Sequence, residues 1–151
     1  MKPIRLIASV LLVLAAAVPL SASDPIAVYA RIDRVVLEPN AEAPDAVQLW
    51  GVFALAAPDN PNYYRPAARG YLYFKAPADK SLALKEWSDL KSVAGTGDVV
   101  SFGSRWSMHP RLRTKDEKPS EPDAYSTNIG LTRARRDTQY APVRDILDFR
   151  Q

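Results

Sequence analysis

Two strand-like runs near the middle of the chain constrain its fold more than any other feature. They are residues 47–55 and 70–74, and in both runs the most apolar side chains recur at every second position. This period of two is typical of strands that bury one face. The other face of the first run includes Trp50 and is too apolar to lie fully in solvent, so we expect part of it to be covered. The two runs predict adjacent strands around which a small β-sheet is built.

The N-terminal segment has the composition of a signal peptide. Two basic residues precede an apolar run, residues 6–20, that is shorter than a comfortable membrane span, and small residues follow it. We predict that residues 1–23 are a cleaved signal peptide and that residues 24–151 form a single exported β-rich domain, periplasmic or secreted and of bacterial type. An uncleaved N-terminal anchor is the alternative. No later apolar run is long enough for a span, so we expect no membrane span after signal removal.

The charges and the scarcity of metal-binding side chains disfavour several classes of function. The chain has 20 basic and 17 acidic residues, and two of the basic ones lie in the predicted signal peptide, which leaves a net charge of about +1. This balance gives no electrostatic argument for a nucleic acid or an anionic membrane as partner. The chain has no cysteine and one histidine, His109, so a zinc site or a Ser-His-Asp triad has few candidates. We expect no metal, no cofactor and no catalytic residue.

A slip in the alternation predicts a β-bulge in the first strand, residues 24–38. Apolar residues alternate as far as Ile32, and the apolar phase then moves by one position and resumes at Val35. One extra residue in a strand produces such a slip and bends the strand. Two short strands in place of one, or a run over residues 35–37 that is buried on both faces, are the alternatives. A bend at this position would turn the strand around the corner of a curved sheet.

The second half of the chain predicts one helix, short strands and a terminal helix. An apolar stripe at helical spacing runs from Ala83 to Ala94 and ends before Gly95, and Pro142 stands at the start of the terminal helix. The order of strands and helix resembles that of an OB-fold over about residues 28–114. We predict a mainly β fold, either a small five- to six-stranded curved sheet or an OB-like Greek-key barrel, with one helix between strands 3 and 4 and a short C-terminal helix. A small β-sandwich is a further alternative.

Aromatic and arginine residues on and between the two central runs form the candidate binding site. Residues 57–69 are rich in proline and asparagine and predict a presented loop. Aromatic rings offer rigid contact area and guanidinium groups offer planar hydrogen bonding, so together they favour recognition of a partner. The candidate residues are Trp50, Tyr63, Tyr64, Arg65, Arg69, Tyr71 and Tyr73. The alternative is that Trp50, Tyr71 and Tyr73 pack beneath the C-terminal tail as a second small core.

These features favour a binding domain over an enzyme. We expect an exported, non-catalytic β-domain that binds a protein, a peptide or a glycan in the cell envelope or outside the cell. One alternative is a small envelope hydrolase that uses acidic residues or His109. Another is an OB-like domain that binds single-stranded nucleic acid on its aromatic face.

Overall fold

One β-sheet and two helices make up most of what the computed structural model describes. The described residues are 26–42, 44–57, 60–76, 78–104, 111–123, 130–134 and 139–150. The strands are Ile26–Glu38 (β1), Ala46–Ala57 (β2), Asn60–Lys75 (β3), Val99–Ser104 (β4) and Gly130–Arg133 (β5), and the helices are Lys80–Val93 (α1) and Ala141–Asp148 (α2). The predicted signal peptide and His109 lie outside the described residues.

The five strands form one antiparallel sheet in the order β3-β2-β1-β4-β5. α1 connects β3 to β4, and α2 follows β5. The predictions of a mainly β fold, of one helix between strands 3 and 4 and of a short C-terminal helix are therefore confirmed. A barrel closes through hydrogen bonds between its edge strands. In the part of the chain that the structure describes, β3 and β5 share no such ladder, so the sheet is open.

The predicted β-bulge lies at Asp33 in β1. Ile32 pairs with Gly51 and Arg34 pairs with Trp50, so Asp33 is the extra residue between two consecutive pairs. A Cβ atom on Gly51 would lie 2.2 Å from a carbonyl oxygen of β1, which explains why glycine stands where the bulged strand comes so close. The bulge returns the apolar residues of β1 to the core face and places Arg34 beside Trp50 on the opposite face.

The prediction of a loop over residues 57–69 is wrong, because β3 begins at Asn60 and includes most of that segment. Its prolines suggested a loop, since proline donates no hydrogen bond to a ladder. However, β3 is an edge strand, and Pro66 lies where the register between β2 and β3 shifts. Proline is tolerated at both kinds of position. The candidate residues of this segment therefore extend from a strand: Tyr63, Tyr64, Arg65 and Arg69.

α1 covers the inner face of the sheet and forms the main core with it. Trp87 and Leu90 from its predicted apolar stripe are buried, and they belong to one cluster with Phe74 and apolar residues of β1, β2 and β4. The carboxylate of Asp79 accepts hydrogen bonds from backbone N–H groups in the first turn. After the helix, Gly95 takes a φ of +75°, a conformation that favours glycine. The inner face is thus used for packing.

Two different segments cover the outer face of the sheet. α2 packs Val143 and Ile146 against Val52. Residues 111–123, which we call the covering segment, run over the part of the face that carries Tyr71. A crevice opens between these two covers. Among the described residues, no helix has the length and apolar character that crossing a membrane requires.

Candidate functional site

Three of the seven candidate residues lie in a small core on the outer face. Tyr71 is 2% exposed and Tyr73 is 6% exposed, and both pack with Ala46, while Trp50 is partly buried against them. This arrangement is the second small core that the sequence left as the alternative. The segment over Tyr71 is the covering segment rather than the C-terminal tail. Tyr71 and Tyr73 thus contribute packing and do not form an open aromatic face.

Backbone pairing and a buried ion pair hold the covering segment on β3. Tyr71 and Arg113 exchange two backbone hydrogen bonds, each of 2.9 Å. The guanidinium of Arg113 donates to the carboxylate of Asp123 at 2.6 Å, and both side chains are largely buried. Gly70 permits this approach, because a Cβ atom there would lie 2.3 Å from the carbonyl oxygen of Arg113. The covering segment is therefore a firm wall of the site.

A chain of hydrogen bonds fixes the orientation of the Trp50 ring. Its Nε1 donates to Oε1 of Gln48 at 2.8 Å, and Nε2 of Gln48 donates to Oε1 of Glu38 at 2.6 Å. The hydroxyl of Tyr73 donates to the other carboxylate oxygen of Glu38, also at 2.6 Å. This last bond, together with burial, raises the pKa of Tyr73 to about 12. The network leaves the indole little freedom to rotate.

Arg34, Trp50 and Tyr71 form one row across three adjacent strands. In the register of the sheet, Arg34 pairs with Trp50 and Trp50 pairs with Tyr71. The ring centroids of Trp50 and Tyr71 are 4.4 Å apart, and the two rings are inclined by 19°. The guanidinium carbon of Arg34 lies 4.4 Å from the centroid of the Trp50 ring, within the range of a cation–π contact. Because Arg34 and Tyr71 approach from opposite neighbouring strands, both faces of the indole are covered.

The crevice beside this row has a volume of about 630 Å³. Residues of the sheet form one side of it, Thr114, Lys115 and Asp116 of the covering segment form another, and Phe149 closes it at the end of α2. The volume lies within the range of small-ligand sites. Trp50 and Arg69 are the candidate residues that line it.

Some charged side chains of the crevice form an ion pair with each other, and others form none with a described residue. Arg69 donates to the carboxylate of Asp33 at 2.5 Å, so these two charges offset each other. Arg34 and Lys115 are exposed, and neither forms an ion pair with another residue of the described ranges. Asp116 supplies a second carboxylate on the wall. The crevice therefore presents two cations to solvent, Arg34 above the Trp50 ring and Lys115 on the covering segment.

Tyr63, Tyr64 and Arg65 lie elsewhere, toward the start of β3. Tyr64 is 38% exposed, and its hydroxyl donates to the carboxylate of Asp145 on α2. Burial and this bond raise the pKa of Tyr64 to about 12. With the exposed Tyr140, Tyr63 and Tyr64 line a second pocket of about 400 Å³, which we call the tyrosine patch. The seven candidate residues are thus divided among the small core, the crevice and the region of the tyrosine patch.

The sequence interpretation missed most of the residues that line the crevice. Arg34 carried a usable signal, because the phase slip at Asp33 turns the next side chain to the face of Trp50. Lys115 and Phe149 carried none. They reach the crevice through the path of the covering segment and through the packing of α2, both of which join segments far apart in sequence.

Comparisons of this chain with protein-family models, with curated proteins and with solved structures gave no match. The function must therefore be argued from the chemistry of the site. Within the described ranges, no group of three or more His, Cys, Asp or Glu side chains is arranged to hold a metal ion. What the crevice offers is a set of positioned cations, carboxylates and aromatic groups, which suits the binding of a charged ligand.

Proposed function

We propose that the chain is an exported, non-catalytic binding domain whose recognition site is the crevice beside Arg34 and Trp50. The observation that supports this most is the exposed guanidinium of Arg34, which lies over the Trp50 ring and has no ion-pair partner among the described residues. The ring beneath it is held by Gln48 and by the stack on Tyr71. An arginine oriented in advance loses less freedom on binding, which makes it an effective anchor. The expected partner is a protein, a peptide or a glycan.

The two alternative functions receive less support from the same residues. A carboxyl that acts as a general acid needs a buried setting, and Asp33 and Asp116 are exposed, with Asp33 ion-paired to Arg69. An OB-like nucleic-acid binder needs open rings on which bases can stack. Tyr71 and Tyr73, which would supply that surface, are buried. Binding at the crevice is therefore the favoured function.

Affinity capture from a cell-envelope extract tests this function. The bait is residues 24–151, compared with a double variant, Arg34→Ala with Arg69→Ala. Both changes are at exposed side chains, so the variant should remain folded, which circular dichroism and thermal unfolding will check. We expect a partner that the native bait retains and the double variant loses.

A matched control bait shows whether the partner binds at the crevice or at the tyrosine patch. The control bait carries Tyr63→Ala, Tyr64→Ala and Arg65→Ala, outside the crevice, and we expect it to retain the partner. Loss with this control but not with the crevice variant would move the site to the tyrosine patch. If no folded bait captures a specific partner, the proposed function is wrong.

A further inference from the structure

We propose that the crevice recognises the free carboxylate at the end of a peptide, with the last, apolar side chain of that peptide packed against Phe149. This inference rests on the proposed binding function and names the chemistry of the ligand. In this arrangement, Arg34 and Lys115 hold the carboxylate. The carboxylate of Asp116 accepts a hydrogen bond from the peptide backbone. These residues all line the same crevice.

The first argument is that the exposed Arg34 lies over the Trp50 ring and forms no ion pair with another described residue. Its neighbour Asp33 is the nearest acid in sequence, but the Asp33 carboxylate is taken by Arg69 at 2.5 Å. The flat guanidinium lies over Trp50, so the hydrogen-bonding edge of the group can project past the ring. A guanidinium fork matches the two oxygens of a carboxylate. Lys115 adds a second cation on the facing wall.

The second argument concerns the charge of the ligand. Arg34, Arg69 and Lys115 face Asp33 and Asp116, so the crevice carries one net positive charge. A carboxylate with a single negative charge balances it. A phosphate monoester carries about −1.5 to −2 charges near neutral pH, which is more than the single net positive charge of the crevice balances. The balance favours a carboxylate over a phosphate.

The third argument separates a peptide from a sugar acid. A sugar ring commonly stacks on an open aromatic face, and the faces of Trp50 are covered by Arg34 and by Tyr71. Phe149 is half-buried and offers an apolar wall at the end of α2. Within about 630 Å³, a carboxylate, one apolar side chain and one further peptide unit can be accommodated. A peptide end uses every wall of the crevice.

Calorimetric titration with a defined probe tests the inference. The protein is purified from cells that express the full chain, and the probes are N-acetyl-alanyl-phenylalanine and the same dipeptide with a C-terminal amide. We expect saturable binding of the free acid, and binding of the amide at least about tenfold weaker, because the amide loses a charge-assisted hydrogen bond. Glucuronic acid, which carries the carboxylate on a sugar, should bind more weakly than the free dipeptide.

Variants assign the binding to the crevice. Arg34→Gln should weaken the binding of the free-acid dipeptide at least about tenfold. Lys115→Gln, at an exposed side chain of the crevice wall, should weaken binding of the free acid several-fold without affecting the fold, and it serves as the test if Arg34→Gln lowers stability. Lys85→Gln is the matched control, since Lys85 lies on the exposed side of α1 with its side chain 77% exposed. We expect the control to bind as the native protein does.

Three outcomes would overturn the inference. They are equal binding of the acid and the amide, tighter binding of glucuronic acid, and no saturable binding of either dipeptide. If these occur while an envelope partner still requires Arg34 and Arg69, the assigned ligand chemistry is wrong and the binding function stands. If capture from the extract also fails, both are wrong.

Discussion

Arg113 shows how one buried side chain can hold a whole segment in place. Its side chain is 8% exposed and its charge is balanced by Asp123 at 2.6 Å. The change Asp123→Ala leaves that guanidinium buried without its carboxylate, which we expect to lower the free energy of unfolding by about 3–5 kcal/mol. Urea denaturation measures this as a lower midpoint at an unchanged slope.

A second ion pair of the covering segment supplies the control for this prediction. Arg111 pairs with Glu117 at the surface, and the Arg111 side chain is 61% exposed. Solvent screening makes such pairs weak, so Arg111→Ala should leave the denaturation midpoint almost unchanged. Equal losses for Asp123→Ala and Arg111→Ala would show that burial of the Arg113 pair is not what holds the segment.

Four tyrosine hydroxyls should ionise late when the pH is raised, and one of them is Tyr71, whose pKa is raised above 10.0 by burial. The pKa values of Tyr29, Tyr64 and Tyr73 are raised from 10.0 to about 12, by burial first in Tyr29 and Tyr64 and by the hydrogen bond to Glu38 first in Tyr73. A pKa raised above its unfolded value gives stability that is fully present below pH 10 and is lost as the pH rises from 10 to about 12. Phenolate absorbance should therefore lag in the folded protein relative to the urea-unfolded chain.

The variant Tyr73→Phe tests whether one of the late ionisations belongs to the hydroxyl of Tyr73. It should remove a hydroxyl that titrates near pH 12 and leave the earlier part of the absorbance curve unchanged. A native curve that overlays the unfolded one, with every tyrosine titrating near 10, would contradict the hydrogen bond between Tyr73 and Glu38.

At the scale of elements, the position of the covering segment depends on Gly70 of β3, the strand with which the segment pairs. Gly70→Ala would bring a Cβ atom to 2.3 Å from the Arg113 carbonyl oxygen, so the two backbones must separate. We expect a loss of about 1–3 kcal/mol in the free energy of unfolding. Hydrogen exchange should also become faster at the amides of Tyr71 and Arg113, which are bonded across the contact.

An exposed residue of the same strand provides the comparison. Ala68→Ser changes a side chain of β3 that faces solvent, so the free energy of unfolding should stay within about 0.5 kcal/mol of the native value. Unchanged exchange at Arg113 in Gly70→Ala would mean that the segment does not lie against Gly70.

The sequence predicted those elements whose signals are local. The phase slip after Ile32 is visible within a few residues, and the bulge occurs there. The stripe from Ala83 to Ala94 and the glycine that follows it likewise describe α1 without reference to the rest of the chain. In each case the pattern of burial is a property of a single strand or helix.

The failures arose where packing between distant segments decides the structure. Pro66 looked like a loop residue, and it is accommodated at a register shift of an edge strand, which cannot be known before the strand order is known. A cover on Tyr71 was only the alternative to an open binding face, and the segment that provides it pairs with β3 across about forty residues of sequence, through Arg113 and Asp123. For this reason Trp50 and Arg69 of the crevice were found, while Lys115 and Phe149 were not.

At the scale of the whole molecule, α1 packs on one face of the sheet, and α2 and the covering segment each cover part of the other face. α2 and the covering segment each bury apolar groups and leave the crevice between them. A site formed by three separate parts of the chain requires the complete fold. Loss of the covering segment or of Phe149 should therefore weaken binding even when Arg34 is intact.

The proposed export concerns the whole chain and has its own test. When the full sequence is expressed in a bacterium, we expect a product in the periplasm or medium whose N-terminus is Asp24, because we predict from their composition that residues 1–23 are a cleaved signal peptide. Mass spectrometry of the purified protein measures this directly. A cytosolic product that retains Met1 would contradict export and leave the crevice unaffected.

The most direct test of the central claim is amide chemical-shift mapping by NMR with a panel of small peptides, glycans and aromatic carboxylates. If the crevice is the recognition site, the shifts caused by the compounds that bind should cluster at Arg34, Trp50, Arg69, Lys115 and Phe149, which line it. Shifts that cluster instead at the tyrosine patch, or binding by none of the compounds, would contradict the claim.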